Sequence, residues 1–457
     1  MSRNLAVFVL CGASLAAQNL TDQYRDAAGK LIGAALVDEA GWRKLEYLCD
    51  RIGHRLSGSA SLEEAIHWAA AEMRREGLDN VQTPPMKVPH WVRGRESAEM
   101  IAPVQVPLAM LGLGGSVGTP PDGITAEVVA VSSFDELEKL GEAAVKGKIV
   151  LFNPVWQGYG RTVVYRGSGA SRAAKLGAVA VLVRSMTGHS LRTPHTGALN
   201  YSQDAPKIPA AAVSVEDAGR LQRLARSGAP VRVTLKMEAQ TLPDADSANV
   251  VAEIRGREKP EEIVVLGGHY DSWDVGQGAH DDGASCIAAW QAVAIMKQLG
   301  LQPRRTVRVV FWTNEENGLA GGRAYREWIG DAVKNHVAAI EMDGGAERPV
   351  GFGVSLPGAS DDRTERGLAT ARQIGALLEG IGAGLVRSGG GGADISPITR
   401  AGVPSLGHLT TGEHYMDWHH TQADTLDKVD PLEFRKNIAA LAVMAYVLAD
   451  MPGRLGD

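Results

Sequence analysis

The chain has 457 residues, 44% of them apolar, a formal net charge of −6 and three cysteines. That length exceeds one typical domain, so two or three are expected, with ample apolar material for their cores. Lys and Arg form no long runs, which excludes a nucleic-acid footprint, and so few cysteines without a Cys-x-x-Cys exclude a disulfide framework or a thiolate metal cage.

Residues 1–17 read as a secretory signal peptide: Arg3, an apolar run over 5–10, then small residues through Ala17. Export is therefore expected, with a secreted or periplasmic mature protein. Leu10 before Cys11 is not the small residue that lipoprotein processing wants, and no other stretch is long and apolar enough to span a bilayer. Helical periodicity covers 21–36 and 39–52. Ser61 and Glu64 form a capping-box pattern for a helix that runs to 76 and stops at Gly77. Residues 18–105 are read as the N-terminal part of the main domain, with 81–88 extended.

Over 106–240 the texture changes. A Gly-rich stretch and Pro120-Pro121 precede short β-like runs at 126–131, 149–152, 179–183, 210–213 and 231–236, with helices at 171–176 and 215–226. This predicts a small inserted domain that shapes access to a site but supplies no metal ligand. From 241 to 457 strands alternate with helices, which predicts a βα-type sheet covered on both faces.

The chemistry gathers in that last part. The apolar run 263–266, bounded by Gly267 and Gly268, suits a buried parallel strand. It releases His269, Asp271, Asp281 and Asp282 before a helix over 284–299. The strand 306–312 ends in Thr313, Asn314, Glu315 and Glu316, and the strand 337–342 ends in Asp343. A late loop holds His419, His420 and Asp424. In open α/β sheets ligands bind beyond the carboxyl ends of the strands. Carboxylates converging there repel unless cations neutralise them, and His with carboxylate donors suits zinc. The Gly-rich run 389–392 lacks the Lys-Ser/Thr of a phosphate loop.

Beyond these positions, the runs 89–98, 111–121, 243–247 and 271–279 are similar to those of the dizinc exopeptidases, a family that includes bacterial zinc aminopeptidases and glutamate carboxypeptidases. The runs 146–151, 173–178 and 208–210 resemble a protease-associated domain. The resemblance implies an α/β fold: a three-layer α/β/α sandwich with a mixed, mostly parallel sheet and an inserted protease-associated domain. It implies two Zn²⁺ per chain, one held by His269 and Asp343 and the other by Glu316 and His420. Asp281 would bridge them, joined to Asp282 by a cis peptide. Asp271 would orient the His269 ring, and Glu315 would be the general base. His419 is the alternative to His420 as ligand; Asp424 four residues after His420 favours His420. Asp394, Gly391, Gly392 and His419 are expected on the substrate side. Gln422 stands where relatives can carry a further His.

The expected activity is hydrolysis of short peptides, dipeptides with free termini in particular, by a carboxypeptidase or dipeptidase, and the resemblance implies a homodimer. An aminopeptidase on the same scaffold is the alternative. A glutaminyl-cyclase-type aminoacyltransferase would hold a single zinc, and the full ligand set argues against it. Intact Glu315 and ligands argue against a non-catalytic binding protein.

Overall fold

The computed structural model describes residues 19–189, 191–228 and 230–457. The leader read at 1–17 lies outside the described residues. Two eight-stranded sheets and a two-stranded ribbon form the framework.

The main sheet runs Asp79–Gln82, Val250–Ile254, Arg305–Trp312, Lys259–His269, His336–Glu341, Ser405–Thr410, Pro349–Ser355, Leu385–Ser388. Its four central strands, Arg305–Trp312 through Ser405–Thr410, pair in parallel, and antiparallel neighbours flank them. Alternation of side chains along a strand decides which core each enters. In Lys259–His269, Val264 and Leu266 join the larger core, while Ile263 and Val265 face the smaller one with Trp312 and Tyr325. Both sides are therefore apolar, as a strand covered by helices on each face must be. Two helices, Ala284–Gln298 and Pro431–Asp450, are buried along most of their length and apolar nearly all round. The architecture is the expected α/β/α sandwich with a mixed sheet.

Several boundaries differ from the sequence reading. Helix Ala60–Arg75 is capped by Ser59, whose side chain accepts from Leu62 N at 3.2 Å. Ser61 instead donates to the His54 carbonyl at 2.6 Å. The second sheet begins at strand Glu96–Ala102, which pairs with Arg232–Met237, rather than at 106. Helix Phe134–Val145 and strands Pro349–Ser355 and Leu385–Ser388 were not read at all. Pro349–Ser355 has a weak β signal because of its glycines, and the contact explains them: a Cβ on Gly351 would stand 1.9 Å from the Leu385 carbonyl oxygen. The ribbon Pro85–Val92 with Gln240–Ala248 carries the chain out to the second sheet and back. Among the described residues no helix is long and apolar enough to cross a membrane.

The start of strand Lys259–His269 is tied to the C-terminal tail by Glu262, which pairs with buried Arg305 and with Arg454 at 2.9 Å. Arg305 in turn donates to the Met451 carbonyl at 2.6 Å. Burial raises the Glu262 carboxyl, but the hydrogen bonds and charges of Arg454 and Arg305 outweigh it and bring the pKa from 4.5 to about 2. A carboxylate depressed on folding contributes stability that is complete above its unfolded value and disappears as pH falls through the folded one. Glu262→Gln is therefore expected to cost about 1–3 kcal/mol at neutral pH. The difference from wild type should shrink as the pH is taken from about 4.5 toward 2, read as urea midpoints across that range. A pH-independent difference would show that packing, not the ion pair, carries the effect.

Candidate metal centre

Parallel strands place their carboxyl ends on one edge, and here three of them deliver ligand-type side chains to the same point. His269 is the last residue of its strand and lies in register with Trp312. Glu315 and Glu316 follow Trp312 in the next strand, and Asp343 follows strand His336–Glu341 on the other side. Asp281 arrives from the turn before helix Ala284–Gln298, and its peptide bond to Asp282 is cis. His420 comes from the late loop.

Asp281 is the centre of the group. Its Oδ1 lies 3.1 Å from His269 Nε2, and that nitrogen is 3.5 Å from Asp343 Oδ1. Its Oδ2 lies 3.3 Å from His420 Nε2, which is 3.0 Å from Glu316 Oε2. One carboxylate thus faces two separate His/acid pairs, one from each oxygen. Ligand-type atoms of His269, Asp281 and Asp343 all lie within 4.8 Å of one another, as do those of Asp281, His419 and His420. Asp281 Oδ2 and Glu316 Oε1 are buried without a hydrogen-bond partner among the described residues. A buried carboxylate oxygen usually has a hydrogen-bond partner, so two unpartnered ones beside two imidazoles fit a cation.

The electrostatics say the same. Burial alone would raise Asp281, but interactions with His269, His420 and His419 hold it well below the carboxylate range. The two facing imidazoles are disfavoured as cations by burial, yet the carboxylates around them push His269 and His420 well above their ordinary value. Burial, then repulsion from Asp281, lifts Glu316 to about 7 against the pull of His420. Burial, opposed by His269 and reinforced by Asp343, Glu316 and Asp271, pushes Glu315 well above the usual range.

Surrounding residues fix these side chains. His269 Nδ1 lies 2.9 Å from the backbone carbonyl of Asp271, so the ring is oriented by that carbonyl rather than by the carboxylate, which is 3.8 Å away. The Asp271 carboxylate instead accepts from the N–H groups of Asn314, Glu315 and Glu316 at 2.7, 3.0 and 3.3 Å. It shapes the turn that carries the two glutamates. Asp282 Oδ2 accepts from His269 N at 3.0 Å, and only glycine fits at 268, where a Cβ would stand 2.2 Å from that oxygen. Asp424 accepts from the N–H groups of His280 and Asp281 at 2.7 and 3.1 Å.

Arg55 is fully buried and donates to the carbonyls of Tyr270, Gln277 and Gly278 at 2.9, 2.8 and 2.9 Å, stitching the loop between His269 and Asp281. Nothing local in the sequence marks that role.

A cavity of about 590 Å³ opens onto this centre, with Asp281, Glu315, Glu316, Asp343 and both histidines 419 and 420 in its wall. His419 stacks on His420 at 3.6 Å between ring centres and stays 3.6 Å from Asp281 Oδ2, farther than His420. Burial and the adjacent positive charge of His420 lower its pKa well below normal, so it is a neutral wall residue beside His420.

Asp394, Gly391 and Gly392, expected on the substrate side, are not part of that wall. Asp394 is buried, and the N–H groups of Asp394 and Ile395 donate to Glu341 at 3.4 and 2.8 Å. Gly392 is required by Glu341, whose carboxyl carbon would stand 2.0 Å from a Cβ there. At Gly391 a Cβ would stand 3.6 Å from Ser405 Oγ.

The reading missed wall residues that come from the inserted domain, Tyr159, Arg166 and Asn200, and Tyr415 from the late loop. No local signal marks them: Tyr159, Arg166 and Asn200 meet the centre through the docking of one domain on the other, and Tyr415 through the folding of the late loop.

Residues 249–445 match the model of peptidase family M28, and residues 106–221 match the PA domain. Human carboxypeptidase Q is 42% identical over 93% of this chain and 89% of its own length. Carboxypeptidase Q of Xenopus laevis is 44% identical over 94% and 90%. The crystal structure of a peptidase M28 precursor from Shewanella amazonensis superposes with a TM-score of 0.89 at 32% identity, covering 95% of this chain and 98% of that one. Identity of this size over most of both chains, on a site with this geometry, makes the chain a metallo-exopeptidase that belongs to peptidase family M28.

Proposed function

We propose that the chain is a dizinc exopeptidase of the carboxypeptidase or dipeptidase type, acting on short peptides with free termini. The observation that carries the reading is Asp281, one carboxylate with each oxygen facing its own His/acid pair. In this proposal His269 and Asp343 hold one zinc, Glu316 and His420 hold the other, and Asp281 is shared. The donors are nitrogen and oxygen only, which suits Zn²⁺. The bound cations would supply Lewis acidity, polarising the scissile carbonyl and acidifying a water.

The chain's own residues do the rest. Glu315 stands on the cavity wall next to Glu316 but is not drawn into the His420 pair, so its carboxylate is free to take the proton of the attacking water. It then returns that proton to the leaving amine. The cavity wall contributes Arg166, whose Nε is buried without a hydrogen-bond partner among the described residues. A guanidinium with a spare donor favours a substrate carboxylate over a substrate ammonium, and the relatives named carboxypeptidase Q point the same way. Export through the leader and assembly as a homodimer belong to the same proposal.

The test is a dipeptide together with a matched set of tripeptides with the amino end free or acetylated and the carboxyl end free or amidated, with products identified by mass. Loss of turnover on amidation, with release of the last residue from the peptide that is free at both ends, is expected. Turnover that survives amidation and stops on acetylation would establish the aminopeptidase alternative. Dipeptides cleaved while every tripeptide is refused would make it a strict dipeptidase.

A further inference from the structure

The inserted domain does more than border the cavity. Thr196 lies within it, fully buried, and meets His420 in both directions. Its N–H donates to the His420 carbonyl at 3.0 Å, and its own carbonyl lies 3.3 Å from His420 Nδ1. A ring whose Nε2 faces a cation carries its proton on Nδ1, and the Thr196 carbonyl is the acceptor placed there; Arg166 Nη1, 3.4 Å from that nitrogen, is a donor only and itself donates to the same carbonyl at 3.3 Å. His420 also needs holding at the backbone: its φ is +62°, a left-handed conformation that residues with a side chain enter only when their surroundings compel it.

Thr196 is itself anchored. Its hydroxyl donates to the Gly112 carbonyl at 2.7 Å and accepts from Arg93 Nη2 at 3.3 Å. Arg93 donates to the same Gly112 carbonyl at 2.6 Å and grips Asp274 with two bonds, at 2.5 and 2.8 Å. Asp274 belongs to the loop that begins at His269. Trp273, its neighbour, packs against the His420 ring at 5.6 Å between centres and against Gly114, where a Cβ would stand 2.0 Å from the indole. The runs 89–98, 111–121 and 271–279 therefore meet here, and their contacts account for much of what the sequence shows in them.

We infer that Arg93 and Thr196 are positioning residues for His420, so that docking of the inserted domain completes the metal site to which His420 belongs. The clamp rests on the metal reading given above. It touches the His420 side of Asp281 and leaves the His269 and Asp343 side to the main sheet.

The test is zinc titration of metal-free protein by chelator competition, on wild type, Thr196→Val and Thr196→Ser. Valine keeps the volume and removes the hydroxyl; serine keeps the hydroxyl. Thr196→Val is expected to bind one of two zinc ions about 10- to 100-fold more weakly and the other as wild type does, and Thr196→Ser to restore both. Two wild-type affinities in Thr196→Val would overturn the inference. So would equal weakening at both positions together with a lower melting temperature of the metal-free protein, because that pattern is general destabilisation. If Thr196→Val does not accumulate folded, Asp274→Asn is judged by the same criteria. A wild type that takes up fewer than two zinc ions overturns the metal reading itself.

Discussion

Glu315→Gln is expected to retain two zinc ions and to lose turnover by about 100- to 10,000-fold, the usual contribution of a general base. Glutamine keeps the size and hydrogen bonding of the side chain but cannot accept a proton. Glu316→Gln, one residue on, should fail differently. Glu316 is buried against His420 at 3.0 Å, so its loss removes metal first and activity as a consequence. Adjacent residues diverge in direction, and the Asp271 carboxylate fixes that divergence by binding the N–H groups of both. Zinc content and peptide hydrolysis measured side by side separate the roles. Zinc lost from Glu315→Gln but kept by Glu316→Gln would swap them. Near-normal turnover of a fully loaded Glu315→Gln would place the base elsewhere.

Asp281→Asn should have the wider effect on metal. Each of its oxygens faces a different His/acid pair, so neutralising this one group weakens both positions together, whereas His269→Ala or His420→Ala is expected to weaken chiefly its own. Outer residues around metal ligands typically contribute 10- to 100-fold in affinity, and a shared ligand should exceed about 100-fold at each position. Turnover should fall to background. Zinc titration reads this directly: loss confined to one ion in Asp281→Asn would mean that the carboxylate is not shared. Melting the metal-free variant supplies the control. Asp281 pairs with His269 and His420 in the metal-free protein, so its loss should itself lower the melting temperature, and titration at a temperature where the variant is still folded keeps metal loss distinct from unfolding.

Much of this centre was legible because its residues sit where local rules act. A β-branched run, two glycines and a following helix mark Lys259–His269 as a buried strand ending at a loop. The same logic puts Glu315, Glu316 and Asp343 after strands. Parallel strands share one carboxyl edge, so strand order within the chain already gathers these side chains without knowledge of the fold. The change of texture near 106 likewise marked the inserted domain, since short strands and glycine-rich turns are local features.

What the sequence by itself determined is therefore the α/β class, the inserted domain and the side chains on the strand ends. What only the tertiary structure decided is how those side chains are held. Arg55 has no local mark, and its guanidinium binds carbonyls more than 200 residues away. Asp271 lies two residues after His269, yet its carboxylate serves a turn 43 to 45 residues further on. The glycines at 391 and 392 look like a ligand-facing loop, and only the fold shows the close contacts they make with Ser405 and Glu341. Thr196 carries no local sign of its link to His420, which spans 224 residues and exists only because one domain docks on another. Periodicity and turn chemistry report on neighbours along the chain, whereas hydrogen bonds to backbone groups far away depend on where the whole chain has brought them.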